Sequence, residues 1–353
     1  MPVESVGSGR AGDLRITIDS PVMPGIQQYL DPHTLAAISP LEMRARMIVE
    51  GLMIGMHRSP YQGFSVDFAQ HRQYAPGDDL RHLDWKVFAR TDKLYLKQYQ
   101  KETNLDLMVM VDTSGSMAYG SELTHGHTAA GKRYWRKFDH AASLAVAIAY
   151  LALKQNDRVA LMMFADTARQ ATRLSNAGGQ WRAIVESLAA EKLLAGVPGS
   201  RGMISTDQTG RRTDIAVLMD RMVAKLNRRS LLVLISDLFD EPSALERGLA
   251  KLYHSRHDVI ILHVLDHEEL TFPFRSPSEF IGLEAEGRLG LDPSALRKGY
   301  LAALRGHLET VEKISRRFQF DYLLLDSSES MRAPLSYFLA ERSGAISRRG
   351  RKH

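Results

Sequence analysis

The feature that most limits how this chain can fold is a regular alternation of apolar runs and helical segments that begins near residue 104. Near-continuous apolar runs of this kind are typical of strands that are covered on both faces of a parallel sheet. The predicted strands span residues 105–111, 158–164, 231–235, 259–264 and 322–325, and the predicted helices span 138–154, 180–190, 214–226, 242–253, 293–317 and 335–342. Strands that alternate with helices form βαβ units, so the pattern predicts an α/β fold with a doubly wound, mainly parallel sheet of the Rossmann type.

Changes in composition divide the chain into four predicted parts. Residues 1–39 mix Gly, Pro and Ser and are expected to form a loosely ordered arm. Residues 40–103 are expected to form a small β-containing unit, with a helix at 40–51 that stops at Gly51, alternating strands at 64–68 and 93–99, and a turn at 76–79. The α/β domain then takes residues 104–346, and a basic, disordered tail takes 347–353.

Charge and cysteine content narrow the functional classes. The formal net charge is +5, but four of these charges lie in the tail 347–353, so the rest of the chain is nearly neutral and nucleic-acid binding is not expected. The chain has no cysteine, which excludes disulfides, Cys-ligated zinc and thiol nucleophiles and favours a reducing, cytoplasmic location. No signal peptide or transmembrane segment is evident, because the longest apolar stretch, 141–153, is shorter than the roughly 20 residues that span a bilayer.

Oxygen-bearing side chains follow the first strand of the predicted sheet. Asp112, Ser114 and Ser116 lie in the pentapeptide Asp-Thr-Ser-Gly-Ser, immediately after the apolar run 105–111. Mg²⁺ prefers oxygen ligands in octahedral geometry at about 2.1 Å. In open α/β sheets, ligands bind outside the carboxyl ends of the strands. The pentapeptide therefore predicts a Mg²⁺ site at this edge of the sheet.

Two further candidates are expected at the same edge. Thr213 precedes a predicted helix and follows a long polar loop, and Asp237 follows the apolar run 231–235 and a serine. In chain order the residues give the pattern D-x-S-x-S, T-D, S-D, which resembles the metal-ion-dependent adhesion site of von Willebrand factor A domains. Thr206 and Thr209 lie near Thr213 and are alternative candidates for the threonine of the pattern.

This resemblance implies a role for each residue. Ser114, Ser116 and Thr213 would approach the Mg²⁺ directly, while Asp112 and Asp237 would act mainly through bound waters. One coordination position would then remain for a Glu or Asp of a partner protein. Mn²⁺ and Ca²⁺ accept the same types of ligand, so the resemblance does not distinguish them from Mg²⁺.

The segment before the sheet contains the motifs Gly63-Phe-Ser-Val-Asp-Phe68, Pro76-Gly-Asp-Asp79, Leu83-Asp-Trp-Lys86 and Leu94-Tyr-Leu-Lys97. Together they resemble the signature of the domain of unknown function 58 family, whose members are typically encoded beside MoxR-type AAA+ ATPases. Later parts of the chain also fit, including Leu283-Glu-Ala-Glu-Gly-Arg288, so that the resemblance covers about residues 40 to 342. It implies a non-enzymatic adaptor or co-chaperone that works with a MoxR-type ATPase in the maturation or assembly of other proteins.

Other side chains are interpreted as structural. Trp85 and Phe88 are expected in the core, His263 is expected to be a hydrogen-bonded core histidine, and the acidic run 266–269 is expected to be solvated. Two alternative functions stay open. Asp112 could be the nucleophile of a Mg²⁺-dependent phosphoryl-transfer enzyme, although no acid–base neighbour is evident in its motif, and the tail 347–353 could bind nucleic acid.

Overall fold

The computed structural model describes residues 35, 41–57, 70–74, 83–98, 105–122, 134–165, 168–191, 219, 226, 228–283 and 287–338. The elements in chain order are α1 (Leu41–His57), β1 (Gln70–Gln73), α2 (Trp85–Thr91), β2 (Tyr95–Gln98), β3 (Asp106–Asp112), a 3₁₀ turn (Gly115–Ala118), β4 (Gly120–Glu122), β5 (Tyr134–Arg136), α3 (Lys137–Lys154), β6 (Arg158–Phe164), β7 (Ala168–Ala171), α4 (Gln180–Ala190), β8 (Leu231–Ser236), α5 (Pro242–His254), β9 (Asp258–Leu265), α6 (His267–Thr271), β10 (Ser278–Ile281), β11 (Arg288–Leu291), α7 (Pro293–Arg317) and β12 (Asp321–Asp326). Residues 332–338 are also helical.

Six strands form the central sheet, in the order β12-β9-β8-β3-β6-β7. Every neighbouring pair is parallel except β6 and β7, which run antiparallel at one edge. After β3, the chain forms β6 and then β7 on one side of β3. It then forms β8, β9 and β12 on the other side. The point where the order reverses therefore lies between β3 and β8, and a crevice for ligands is expected outside the carboxyl ends of these two strands.

Side chains of the strands alternate between two hydrophobic cores, one on each face of the sheet. Val109 and Val111 of β3 join a core that includes α1, α3 and α4, whereas Met108 and Met110 join a core that includes α5 and α7. Alternation of this kind follows from the two-residue period of a strand. The predicted doubly wound, mainly parallel α/β sheet is thus confirmed.

Among the described residues, three smaller antiparallel pairs accompany the sheet: β1 with β2, β4 with β5, and β10 with β11. The first of these gives the N-terminal part its β content: β2 lies within the predicted strand 93–99, whereas β1 was not predicted. The predicted strand at 64–68, the turn at 76–79 and most of the helix at 214–226 lie outside the described residues. Within the described residues, none of the helices is long and apolar enough to cross a membrane.

The N-terminal part departs from the sequence-based expectation in two places. Helix α1 continues through Gly51 to His57, because Ala45 and Ile48 pack into the core beside α3 and this packing outweighs the low helix propensity of one glycine. Trp85, which was expected in the core, is 65% exposed at the start of α2 and contacts Phe88 edge to face. The prediction for Trp85 was wrong, since α2 is a short helix that buries only part of its surface.

Candidate functional site

The site begins with Asp112, the last residue of β3. Its side chain is buried, and both carboxylate oxygens accept hydrogen bonds: Oδ1 from the backbone N–H of Ser114 at 2.8 Å, and Oδ2 from the hydroxyl of Ser236 at 2.5 Å. The first bond closes a tight turn at the end of the strand. The second joins β3 to the end of β8, so the carboxylate is fixed at the crevice between the two strands.

The two serines of the pentapeptide lie next to each other. The hydroxyl oxygens of Ser114 and Ser116 are 3.0 Å apart. Ser116 belongs to the 3₁₀ turn, whose Met117 is fully buried and holds the turn against the core. Thr113, between Asp112 and Ser114, faces inward, where its hydroxyl donates to the carbonyl of Phe164 at 2.9 Å. The turn therefore places the hydroxyls of Ser114 and Ser116 beside the Asp112 carboxylate.

Asp237 follows β8 and is also buried. Its Oδ2 accepts a hydrogen bond from Nζ of Lys137 at 2.8 Å, and its backbone carbonyl accepts one from Nε2 of His263 at 2.7 Å. The next residue, Leu238, has a φ of 50°, a left-handed conformation that is uncommon for a non-glycine residue. Its N–H donates to the hydroxyl of Ser236 at 3.0 Å, and its carbonyl accepts from Nε2 of His307 at 2.9 Å. Two histidines and a serine thus hold the turn that carries Asp237.

Two acidic residues, Asp266 and Glu269, lie in the α6 segment that follows the carboxyl end of β9. Asp266 caps α6, is fully buried, and accepts hydrogen bonds from the hydroxyls of Ser121 and Ser327. Glu269 accepts from Nζ of Lys137 at 2.8 Å. The expectation that residues 266–269 are solvated was therefore wrong for these two carboxylates, because the capping turn directs them inward.

Burial and nearby charges shift the pKa values of several side chains in the site. Burial, and then the negative charge of Asp237, raises the pKa of Asp112 to about 7. For Lys137, burial acts to lower the pKa, but the charges of Asp237 and Glu269 outweigh it and the pKa is raised. Burial lowers the pKa of His263 to about 4, so this histidine is neutral at pH 7. Its hydrogen bonds to Tyr322 and to the carbonyl of Asp237 bear out the prediction of a hydrogen-bonded core histidine.

The structure brings together four of the five residues predicted for the metal: Asp112, Ser114, Ser116 and Asp237. Hydrogen bonds link Asp112 to Ser114 and Ser114 to Ser116, and the charge of Asp237 acts on Asp112. Thr213, and its substitutes Thr206 and Thr209, lie outside the described residues. Sequence reasoning missed Lys137, since a lysine at the start of an amphipathic helix normally faces solvent.

The donor set fits a hard divalent cation. Carboxylate and hydroxyl oxygens are the ligands that Mg²⁺ prefers, and Asp112 supplies the first beside the Ser114 and Ser116 hydroxyls. Burial, and then the charge of Asp237, disfavour the ionised form of Asp112, and a bound cation would favour it. Over the part of the chain that is described, no cluster of three or more His, Asp or Glu side chains is arranged for a metal. A cation here would therefore need the serine hydroxyls.

Comparison with known proteins gives a family match over most of the chain. A family model described as "Protein of unknown function DUF58" matches residues 70–310. An uncharacterized protein of Mycobacterium tuberculosis is 27% identical over 316 residues, which cover 88% of this chain and 90% of the relative. An uncharacterized protein of Mycobacterium bovis matches with the same figures.

Two solved structures align with part of the chain. The protein BatB from Bacteroides thetaiotaomicron aligns with a TM-score of 0.45 and 12% identity, covering 69% of this chain and 99% of BatB. The manganese-loaded TRAP protein of Plasmodium vivax aligns with a TM-score of 0.31 and 16% identity, covering 46% of this chain and 57% of TRAP.

Proposed function

The chain belongs to the DUF58 family of proteins of unknown function, and we propose that it is a non-enzymatic, Mg²⁺-dependent protein-binding module. One observation carries this proposal. The adjacent hydroxyls of Ser114 and Ser116 lie beside the buried Asp112 carboxylate, at the carboxyl ends of the strands where the sheet order reverses. Open α/β sheets bind ligands at this place.

Asp112, Ser114, Ser116, Thr213 and Asp237 would hold the metal, as the resemblance to von Willebrand factor A domains implies. When bound, the cation would supply a positive centre that accepts a carboxylate from a Glu or Asp of the partner. Mn²⁺ or Ca²⁺ could take the place of Mg²⁺, since all three accept oxygen ligands. The chain's own residues fix the donors, because the hydroxyl of Ser236 donates to Asp112 Oδ2 and accepts the N–H of Leu238, the residue after Asp237.

The surroundings of Asp112 support binding rather than phosphoryl transfer. A nucleophilic carboxylate needs access to its substrate and a nearby acid–base group. Asp112 is only 5% exposed, and both of its oxygens already accept hydrogen bonds. Lys137 is engaged by two carboxylates, and His263 is buried against a backbone carbonyl. The phosphoryl-transfer alternative is therefore less well supported than binding.

The partner that we propose is a MoxR-type AAA+ ATPase or a client protein on which the two act together in the cytoplasm. This part of the proposal rests on the family resemblance. Co-purification from the native organism tests it: the wild type in Mg²⁺ should retain a partner that is lost in EDTA and lost from Asp112→Ala. Retention of the same partner in all three conditions would contradict the proposal.

A further inference from the structure

Lys137 occupies an unfavourable position for a charged side chain. It is the first residue of α3, where the helix dipole is positive and repels a cation. Its side chain is also completely buried, and removing an ammonium group from water costs several kcal/mol unless it is paired. An apolar residue would avoid both costs, so the position requires an explanation from what Lys137 contacts.

The contacts of Lys137 are acidic and lie at the proposed metal site. Its Nζ is 2.8 Å from Oδ2 of Asp237 and 2.8 Å from Oε1 of Glu269. The ring of Phe239 covers it, with the centroid 5.0 Å from Nζ. The other oxygen of Glu269 accepts the N–H of Asp266 at 2.8 Å, which fixes the carboxylate. The Lys137 ammonium therefore lies between Asp237, a predicted metal residue, and Glu269 of the α6 capping turn.

From this geometry we propose that Lys137 is an internal counter-ion that weakens divalent-cation binding at the site by sharing the charge of Asp237. The inference rests on the proposed function, because it concerns the metal of that site. Affinity for hard cations rises with the number of charged ligands that are available. The Lys137 ammonium contacts Asp237, and so lowers the negative charge that Asp112 and Asp237 together offer to the cation. It also repels the cation directly.

This arrangement has a consequence for the partner. A cation that receives less negative charge from the protein keeps more of its attraction for a carboxylate from outside. Lys137 would therefore bias the site towards a ternary complex, in which the partner supplies the missing charge. In this role Lys137 is a positioning and tuning residue, since it acts through Asp237 rather than by contact with the metal.

A purely structural role predicts the opposite effect of mutation. If Lys137 only braces Asp237, its removal should loosen the carboxylate and weaken Mg²⁺ binding. If Lys137 is a counter-ion, its removal should strengthen Mg²⁺ binding, because Asp237 is then fully available and an adjacent positive charge is gone. The sign of the change in affinity separates the two roles.

The experiment is a Mg²⁺ titration by isothermal calorimetry of the wild type, Lys137→Met and Lys137→Arg, with circular dichroism to establish folding. Lys137→Met should bind Mg²⁺ at least about tenfold more tightly, as expected for the loss of a unit charge near the cation at an effective dielectric constant of about 20. Lys137→Arg keeps the positive charge, so a folded Lys137→Arg should lack the gain in affinity expected for Lys137→Met. Unchanged or weaker binding by folded Lys137→Met would overturn the inference.

A second variant covers the case in which Lys137→Met does not fold. Lys137→Met with Glu269→Gln removes one positive and one negative charge, so that only Asp237 loses its partner. It should bind Mg²⁺ more tightly than Glu269→Gln alone, which differs from it only by Lys137, and affinity equal to or below that of Glu269→Gln would overturn the inference. Absence of Mg²⁺ binding to the wild type and to every variant would instead overturn the proposed function, and the inference with it.

Discussion

The hydroxyl of Ser236 donates a 2.5 Å hydrogen bond to Oδ2 of Asp112, and so joins the ends of β8 and β3 at the point where the sheet order reverses. The hydroxyl oxygen of Ser236 also accepts the N–H of Leu238 at 3.0 Å. One buried serine therefore positions Asp112 and also holds the left-handed turn that follows Asp237. The two acidic residues of the site are coupled through this side chain.

Replacing Ser236 should damage both stability and metal binding. Ser236→Ala leaves Asp112 Oδ2 and the N–H of Leu238 without their partner, which costs about 1–3 kcal/mol for a buried group. Urea denaturation should show this loss, and Mg²⁺ affinity should fall. Ser243→Ala is a matched control on the exposed start of α5 and should change stability by less than about 0.5 kcal/mol. Equal changes in stability and in Mg²⁺ affinity for Ser236→Ala and Ser243→Ala would contradict the coupling.

Mg²⁺ should stabilise the folded protein. A ligand that binds only the native state adds about 2.7 kcal/mol at a hundredfold excess over its Kd. The melting temperature should therefore rise with Mg²⁺ or Mn²⁺ and return when EDTA is added. Ser114→Ala and Ser116→Ala should each reduce the rise, and Thr213→Ala should do the same if Thr213 is the third hydroxyl ligand. A full response in all three variants would place the metal elsewhere.

The contribution of Asp112 to the stability of the metal-free protein should fall as pH rises from about 4 to 7. The pKa of Asp112 is raised from 3.8 to about 7, so the native state binds this proton more tightly than the unfolded chain does. The stabilisation is complete below pH 3.8 and is lost as pH passes through 7. A shift in this direction corresponds to a loss on the order of a few kcal/mol.

Urea denaturation in EDTA across this pH range measures the effect. Asp112→Asn is the control, because it cannot ionise and should lack this part of the pH dependence. Added Mg²⁺ should also flatten the wild-type curve, since a cation favours the ionised carboxylate. Identical curves for the wild type and Asp112→Asn in EDTA would show that Asp112 does not titrate in this range.

The protein alone should not hydrolyse phosphate esters or peptides. Asp112 is buried with both oxygens hydrogen-bonded, and the proposed metal position is reserved for a partner carboxylate. Assays with generic phosphatase and peptidase substrates in Mg²⁺ check this. Metal-dependent turnover that disappears in Asp112→Asn would instead support the phosphoryl-transfer alternative.

Periodic elements could be predicted well from the sequence. The predicted bounds of β6, α4 and α7 coincide with those of the structure, because each has a strong apolar pattern between clear stop signals. The antiparallel edge strand β7 was missed, since its four residues, Ala-Arg-Gln-Ala, carry no strand pattern. Its place in the sheet is set by pairing with β6, which no local signal in the sequence records.

The site was predictable only where the residues form a motif. Asp112, Ser114 and Ser116 are neighbours in the chain, so the turn that joins them could be inferred. Lys137 and Glu269 are 132 residues apart, and only the fold brings their charges together. The acidic run 266–269 was expected to be solvated and Lys137 was not singled out, because burial of a charged pair depends on tertiary contacts.

The most direct test of the account is the affinity of a captured partner for the wild type, Asp112→Ala and a deletion of the tail 347–353, each in Mg²⁺ and in EDTA. A carboxylate that completes the metal site should contribute about 2–5 kcal/mol, so EDTA and Asp112→Ala should each weaken binding at least about tenfold. The tail deletion should leave the Mg²⁺-dependent affinity nearly unchanged, because surface charges act mainly on association rate and salt dependence. A tail deletion that reproduces the EDTA effect, together with a neutral Asp112→Ala, would contradict the Mg²⁺ bridge.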